Sequence, residues 1–193
     1  TAPGSGVIAE WGACKTTSGT ASIPGGSAAV NVTLTTPITD MFQAFLLVDS
    51  AGSSTVEQGQ NHMVTGDILD INTLAFDRVG TSGQAEVSYA LVECFNNELN
   101  VQSGEILLAS GSASATATIP AVDPTRSIVL VSTRTSTASA QQYQALATGE
   151  LTNGTTVQVK RAATATNSNT TVRYQVVEFS AASGASVQTG EVA

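Results

Sequence analysis

The chain has 193 residues, 11% of them charged and 5% aromatic, and seven Lys+Arg against fifteen Asp+Glu give a net charge of −8. Phosphate binding needs concentrated positive charge, and the only adjacent basic pair is Lys160-Arg161, so nucleic acid and anionic membrane surfaces are excluded as partners. No apolar stretch approaches the roughly 20 residues of a transmembrane helix, so no membrane insertion is expected.

Ser, Thr, Ala, Gly and Val dominate, which favours short β-strands joined by polar turns, and no window has a convincing helical period. In chain order, strands are predicted near 7–15, 28–35, 43–50, 61–70, 72–78 and 85–95, with Gly80-Thr81-Ser82-Gly83 as the last hairpin turn. Asn96 to Asn100 reads as a polar connector too short for wide independent movement, which predicts a fairly stiff two-domain rod. Six further strands follow near 101–108, 113–119, 127–134, 143–151, 155–161 and 170–179. In the second of these, Ala113, Ala115, Ala117 and Ile119 alternate with Ser114, Thr116 and Thr118, the period of a half-buried strand. Pro120-Ala121-Val122-Asp123-Pro124 breaks the ladder and predicts a corner. Asn153-Gly154, tolerant of positive φ, predicts a tight hairpin.

The two halves repeat each other. Tyr89-Ala90-Leu91-Val92-Glu93 recurs as Tyr174-Gln175-Val176-Val177-Glu178, 85 positions later. Gly66-Asp67-Ile68 matches Gly149-Glu150-Leu151, Arg78 matches Arg161, and Leu46-Leu47-Val48 matches Val129-Leu130-Val131, each 83 positions later. A repeat of about 85 residues sets the number of folding units. The predicted fold is all-β: two tandem antiparallel β-sandwiches of immunoglobulin-like size, over 1–96 and 97–182, followed by a tail over 183–193.

That tail holds a third copy of an opening segment. Val187-Gln188-Thr189-Gly190-Glu191-Val192-Ala193 repeats Val101-Gln102-Ser103-Gly104-Glu105-Ile106-Leu107, and the N-terminal run Val7 to Lys15 is taken as the first copy. Three opening strands for two bodies leave one over. An unpaired strand exposes a row of N–H and C=O groups, so Val187, Gln188, Thr189, Gly190, Glu191 and Val192 form a candidate assembly strand donated to another copy of the chain. Head-to-tail addition of this kind tends to filaments or lattices. Two other readings stay open: both segments flank one domain, or the tail, after the small residues 181–186, is disordered or a boundary artefact. Thr1 in place of methionine fits removal of a leader or propeptide, or an artefact of preparation.

Few residues suggest chemistry. Cys14 and Cys94 fall in the first and last strands of the first unit, and their nearest counterparts are apolar, at about Ile106 and at Phe179. That substitution reads as a disulfide tying the terminal strands, and hence as export to an oxidising compartment, with two buried thiols as the alternative. His62 is the only histidine, so a nucleophilic triad would have to be built around it, and no Gly-x-Ser-x-Gly elbow is present. Asp67, Asp70 and Asp77 offer oxygen ligands without the spacing of a calcium loop, and no zinc spacing, phosphate loop or dinucleotide fingerprint occurs. Neither a cofactor nor enzymatic activity is expected. Trp11, Tyr143 and Arg134, with Arg173, could line a ligand face or an interface. The sequons at Asn31, Asn153 and Asn169 could accept glycans.

The stretch Ile119-Pro120-Ala121-Val122-Asp123-Pro124-Thr125-Arg126-Ser127, with Val129-Leu130-Val131-Ser132, Leu151-Thr152-Asn153-Gly154-Thr155-Thr156-Val157 and Tyr174-Gln175-Val176-Val177-Glu178-Phe179, resembles a β-sandwich repeat of phage structural proteins and bacterial surface proteins. The resemblance spans most of 101–179 and implies a building block, sometimes joined to lectin-like modules, with no catalytic residue. The expected function is a self-assembling structural subunit of an extracellular filament or virion surface, partnered by copies of itself. The alternative is a carbohydrate-binding surface or virion module that uses the loops or the Trp11 and Tyr143 faces.

Overall fold

A computed structural model describes residues 8–11, 14–52, 58–136, 144–161 and 168–187. The fold is all-β, as two tandem sandwiches. The first contains β1 (Ile8–Trp11), β2 (Cys14–Ile23), β3 (Ala29–Thr33), β4 (Ala44–Gly52), β5 (Thr65–Asp70), β6 (Thr73–Asp77) and β7 (Ala85–Cys94). The second contains β8 (Leu99–Leu108), β9 (Ser114–Thr118), β10 (Ser127–Thr135), β11 (Ala147–Asn153), β12 (Thr156–Arg161) and β13 (Thr170–Phe179). Sheet orders are β1-β2-β7-β4 with β3-β6-β5, and β8-β13-β10 with β9-β12-β11. The duplication is therefore strand for strand, with β1 as an addition at the β2 edge.

The anchors of the sequence repeat occupy equivalent places. Tyr89 lies opposite Gly19 and Tyr174 opposite Gly104, and in each case the phenol fills the space that a Cβ on the glycine would need. An aromatic ring laid over a strand glycine pins the register and replaces the missing side chain. Arg78 and Arg161, 3% and 5% exposed, are matched too. Arg78 donates to the carbonyls of Pro24, Ser27, Asn61 and Gly83 at 2.8–3.0 Å. Arg161 donates to those of Ala109 and Ser112 at 2.7 and 2.8 Å, and more loosely to Ser168 and Thr170. Each guanidinium, pushed down from its ordinary value by burial, gathers the carbonyls of the loops at one end of its sandwich. Arg is suited to this because its planar fork presents five donors at once.

Several expectations need correction. The opening strand of the first unit is β2, not the predicted 7–15: that run divides between β1, ending at Trp11, and β2, starting at Cys14, which pair antiparallel with Trp11 in register with Cys14. Asn61 and His62, expected at the start of the 61–70 strand, belong instead to one helical turn, α1 (Gly59–His62), with Asn61 fully buried. The segment 80–83 is no hairpin, because β6 and β7 belong to different sheets and Gly83, at φ +70°, lies on the crossover between them. The 153–154 hairpin and the 120–124 corner are present, but Gly154 is needed for proximity: a Cβ there would come within 2.7 Å of the Val122 carbonyl. The two sandwiches are also not stacked as a rod. Asn96 and Asn97, both left-handed at φ +62° and +58°, reverse the chain, so β8 runs back and the second sandwich lies flank to flank with the first. Asn tolerates that conformation better than most residues.

Replacing Arg161 with Met removes the donors to the Ser112 and Ser168 carbonyls and to Thr170 Oγ1, at about 1–3 kcal/mol for each group left unbonded, while the Ala109 carbonyl keeps the N–H of Ser112. Urea unfolding should show the second sandwich weakened by about 3 kcal/mol or more. Arg161→Lys, which cannot reach several carbonyls at once, should recover less than half of that loss.

Candidate functional site

The joint between the sandwiches is the most elaborate polar site in the described structure. On β13, Val172, Tyr174 and Val176 point into the second core, which leaves Arg173, Gln175 and Val177 on the opposite face, against the first sandwich. β4 is an edge strand, and Leu46 on it is only 2% exposed, so its outward N–H and C=O are cut off from water. Gln175 satisfies both: Leu46 N donates to Oε1 at 2.8 Å, and Nε2 donates to the Leu46 carbonyl at 2.7 Å. One side-chain amide thus stands in for the peptide of a missing neighbour strand. Gln43 does the same for β8 across the connector, accepting from Leu99 N at 3.1 Å and donating to the Leu99 carbonyl.

Around this pair, Ser132 Oγ accepts from Gly66 N at 3.2 Å, Arg134 Nη1 donates to Thr65 Oγ1 at 2.8 Å, and Arg173 Nη2 meets Asp67 Oδ2 at 2.8 Å. Glu105, on β8 of the same sheet as the two arginines, lies 3.1 Å from Arg134 and 3.8 Å from Arg173, so the arginines share it. Burial raises the Asp67 carboxyl above its ordinary value, against the pull of Arg173. An apolar patch formed by Cys94, Leu99, Val101 and Val177, with Phe45, Val92, Ile128, Leu130 and Phe179 beside it, completes the joint.

The Cys14–Cys94 disulfide is present and sits in that patch. It links directly opposed residues of β2 and β7, and the matching pair in the second unit is Leu99 with Phe179. The counterpart of Cys14 is therefore Leu99, not Ile106, while Phe179 is the counterpart of Cys94 as expected. Closing a separation of 80 residues is worth about 4.5 kcal/mol on the chain-entropy estimate.

Next to it, Glu93 is 1% exposed and holds Lys15 at 2.6 Å while accepting from Thr39 N. Burial pushes this carboxyl up, but the hydrogen bonds from Lys15 and Thr39 outweigh it and leave the group below its ordinary 4.5. Its counterpart Glu178 likewise accepts from a corner N–H, that of Asp123, at 2.8 Å.

The remaining candidates disperse. Arg134 and Arg173 are committed to the joint. Asp67 joins them there, whereas Asp70 accepts from Asn72 N in a turn and Asp77 pairs with Ala29 and Thr65 in its ladder. His62 is in α1, its carbonyl accepting from Ser50 Oγ. Trp11 is placed only as a backbone position on β1, and Tyr143 lies outside the described residues, as do 188–192 of the assembly strand. Val187 is placed: its N–H donates to the Thr125 carbonyl at 2.8 Å, in the turn that precedes β10. Among the described residues no group of three or more His, Cys, Asp and Glu could hold a metal ion, and no helix is long and apolar enough to cross a membrane. Sequence reasoning missed Gln175 and Gln43, whose partners are 129 and 56 positions away. Compared with protein-family models, curated proteins and solved structures, the chain has no match.

Gln175→Ala should free the flanks, at a cost of about 2–4 kcal/mol for two buried backbone groups left unpaired. Small-angle scattering should show a larger radius of gyration. Gln175→Glu, which can accept but not donate, should fall between the two. Glu93, with its lowered value, adds stability that is present above about pH 4.5 and is lost as the pH falls through that lowered value. In thermal scans, Glu93→Gln should therefore flatten the acid-side loss of melting temperature.

Proposed function

We propose that this chain is a structural subunit of an extracellular filament or virion surface, extended from copy to copy through its C-terminal segment. The observation that carries the reading is the filling of both sandwiches by the strand that precedes them. β2 serves the first and β8 the second, each hydrogen-bonded in full to β7 or β13. The third copy of that strand, from Val187 onward, thus has no body among the described residues to complete.

Two further observations support it. The segment is seated at the start by Thr125 and is preceded by a turn with Gly184 at φ +68°, much as β8 is preceded by the left-handed pair Asn96-Asn97. The flank of the second sandwich that corresponds to the covered flank of the first is also less buried. Leu46, Thr65 and Gly66 are buried, whereas Val129 and Gly149 are half-buried and Thr148 is exposed. A surface covered by a neighbour in one repeat and bare in the next is what an extendable subunit presents. A disulfide suits an oxidising, extracellular setting.

Electron microscopy and size exclusion of the full chain and of a chain lacking 187–193 test the reading. The full chain should form end-joined particles that the shortened chain does not. Equal assembly by both would end it.

A further inference from the structure

The two sandwiches differ at one edge. In the first, β1 pairs with β2 over Cys14 to Thr17 and caps it. The matching stretch of the second runs from Leu99 to Gln102, and β8 is an edge strand with no cap among the described residues. The direction of its free groups is fixed by Leu99, whose N–H and C=O both go to Gln43 and hence away from β13. Antiparallel alternation then turns the N–H and C=O of Val101, Ser103, Glu105 and Leu107 to the same open side. Ser103, Glu105 and Leu107 are exposed.

Alongside lies a groove of about 500 Å³, lined by Phe42, Ile68, Val101, Gln102, Ile119 and Pro120. Phe42 is 67% exposed. Gln102 Nε2 donates to the Pro120 carbonyl at 3.2 Å, while its Oε1 is buried without a hydrogen-bond partner. The groove therefore offers apolar walls, an unmet acceptor and a row of backbone groups with no partner among the described residues, the three requirements of an added β-strand.

We propose that the open edge of β8 is the receiving site for the C-terminal strand of a second copy, residues 187–193; this rests on the structural function proposed above and names its acceptor. The lengths agree. Seven residues in extended form span about 23 Å, as does the stretch Val101 to Leu107 that would receive them. The occupant is a second copy rather than the chain's own tail because Val187 is held at Thr125, before β10. β10 and β8 are opposite edges of one sheet, about 10 Å apart with β13 between them, and a crossing would use half of the remaining residues. The incoming strand alternates Val187, Thr189 and Glu191 with Gln188, Gly190 and Val192, so its backbone can pair along β8 while a valine enters the groove.

The test uses the full chain and a labelled peptide of residues 185–193. Ser103→Pro removes one outward N–H without touching the ladder to β13, a position where an edge strand tolerates proline. The wild-type chain should bind the peptide saturably, and excess peptide should shorten its assemblies. Ser103→Pro should lose at least tenfold in peptide affinity and no longer assemble. Gln102→Ala, which leaves every backbone bond in place, should lose at least threefold and decides the matter if the proline variant does not fold. If both variants bind and assemble as wild type, while removal of 187–193 still abolishes assembly, the acceptor edge is elsewhere and this proposal is overturned with the structural function intact. Assembly that survives removal of 187–193 overturns both.

Discussion

A strand at the edge of a sheet carries backbone groups that must meet either water or a partner, and the arrangement of this protein depends on how that demand is met at β4. Leu46 is buried, so the demand falls on its neighbour. Gln175 meets it with a single amide, which fixes how far the second sandwich slides along the first and which face it turns inward. The ion pairs of Arg173 and Arg134 follow from that placement. In half-buried pairs of this kind the cost of desolvation offsets much of the Coulombic gain, so they contribute modestly by themselves. They add selectivity of docking to a joint that the apolar patch and the amide hold.

The duplication shows which features a sandwich of this type needs and which were added. Both copies keep a tyrosine over a glycine, an arginine that gathers loop carbonyls and a carboxylate that accepts from a corner N–H. These are solutions to local problems of register and burial, and they recur because the backbone recurs. The differences cluster at the joint. Where the first unit has a disulfide, the second has Leu99 against Phe179, and where the second has Arg173 and Gln175 the first has Ser88 and Ala90. The faces that meet have thus diverged from each other, while the cores have not.

Much of this was legible in the residues themselves. Hydroxyl and small apolar residues in alternation, proline corners and the 85-residue period gave the strands and their duplication, and the apolar counterparts of the cysteines pointed to their pairing. The opening strand of the first unit was misplaced because Thr16 to Ile23 keeps almost none of the apolar letters of Val101 to Leu108; only the Ser-Gly pair survives. Gly19 was the signal that could have found it, since a tyrosine 85 positions before Tyr174 requires a glycine 85 positions before Gly104. Flank-to-flank docking had no local sign at all. It rests on left-handed asparagines and on two glutamines whose partners are remote in sequence, and side chains of that type are ordinarily read as solvent-facing.

The β8 edge poses the same physical problem as Leu46, backbone groups without a partner among the described residues, and the proposed pairing with the tail of a second copy would answer it as Gln175 answers Leu46. Within the chain the problem is solved by an amide. Between chains it would be solved by a strand. Residue-resolved amide hydrogen exchange, on the same protein kept dispersed and then assembled, addresses both at once. The account predicts that the Leu46 amide is protected in either state, and that the Ser103, Glu105 and Leu107 amides exchange freely when dispersed and become protected on assembly. Free exchange at those three positions in assembled material, or at Leu46 in either state, would contradict it.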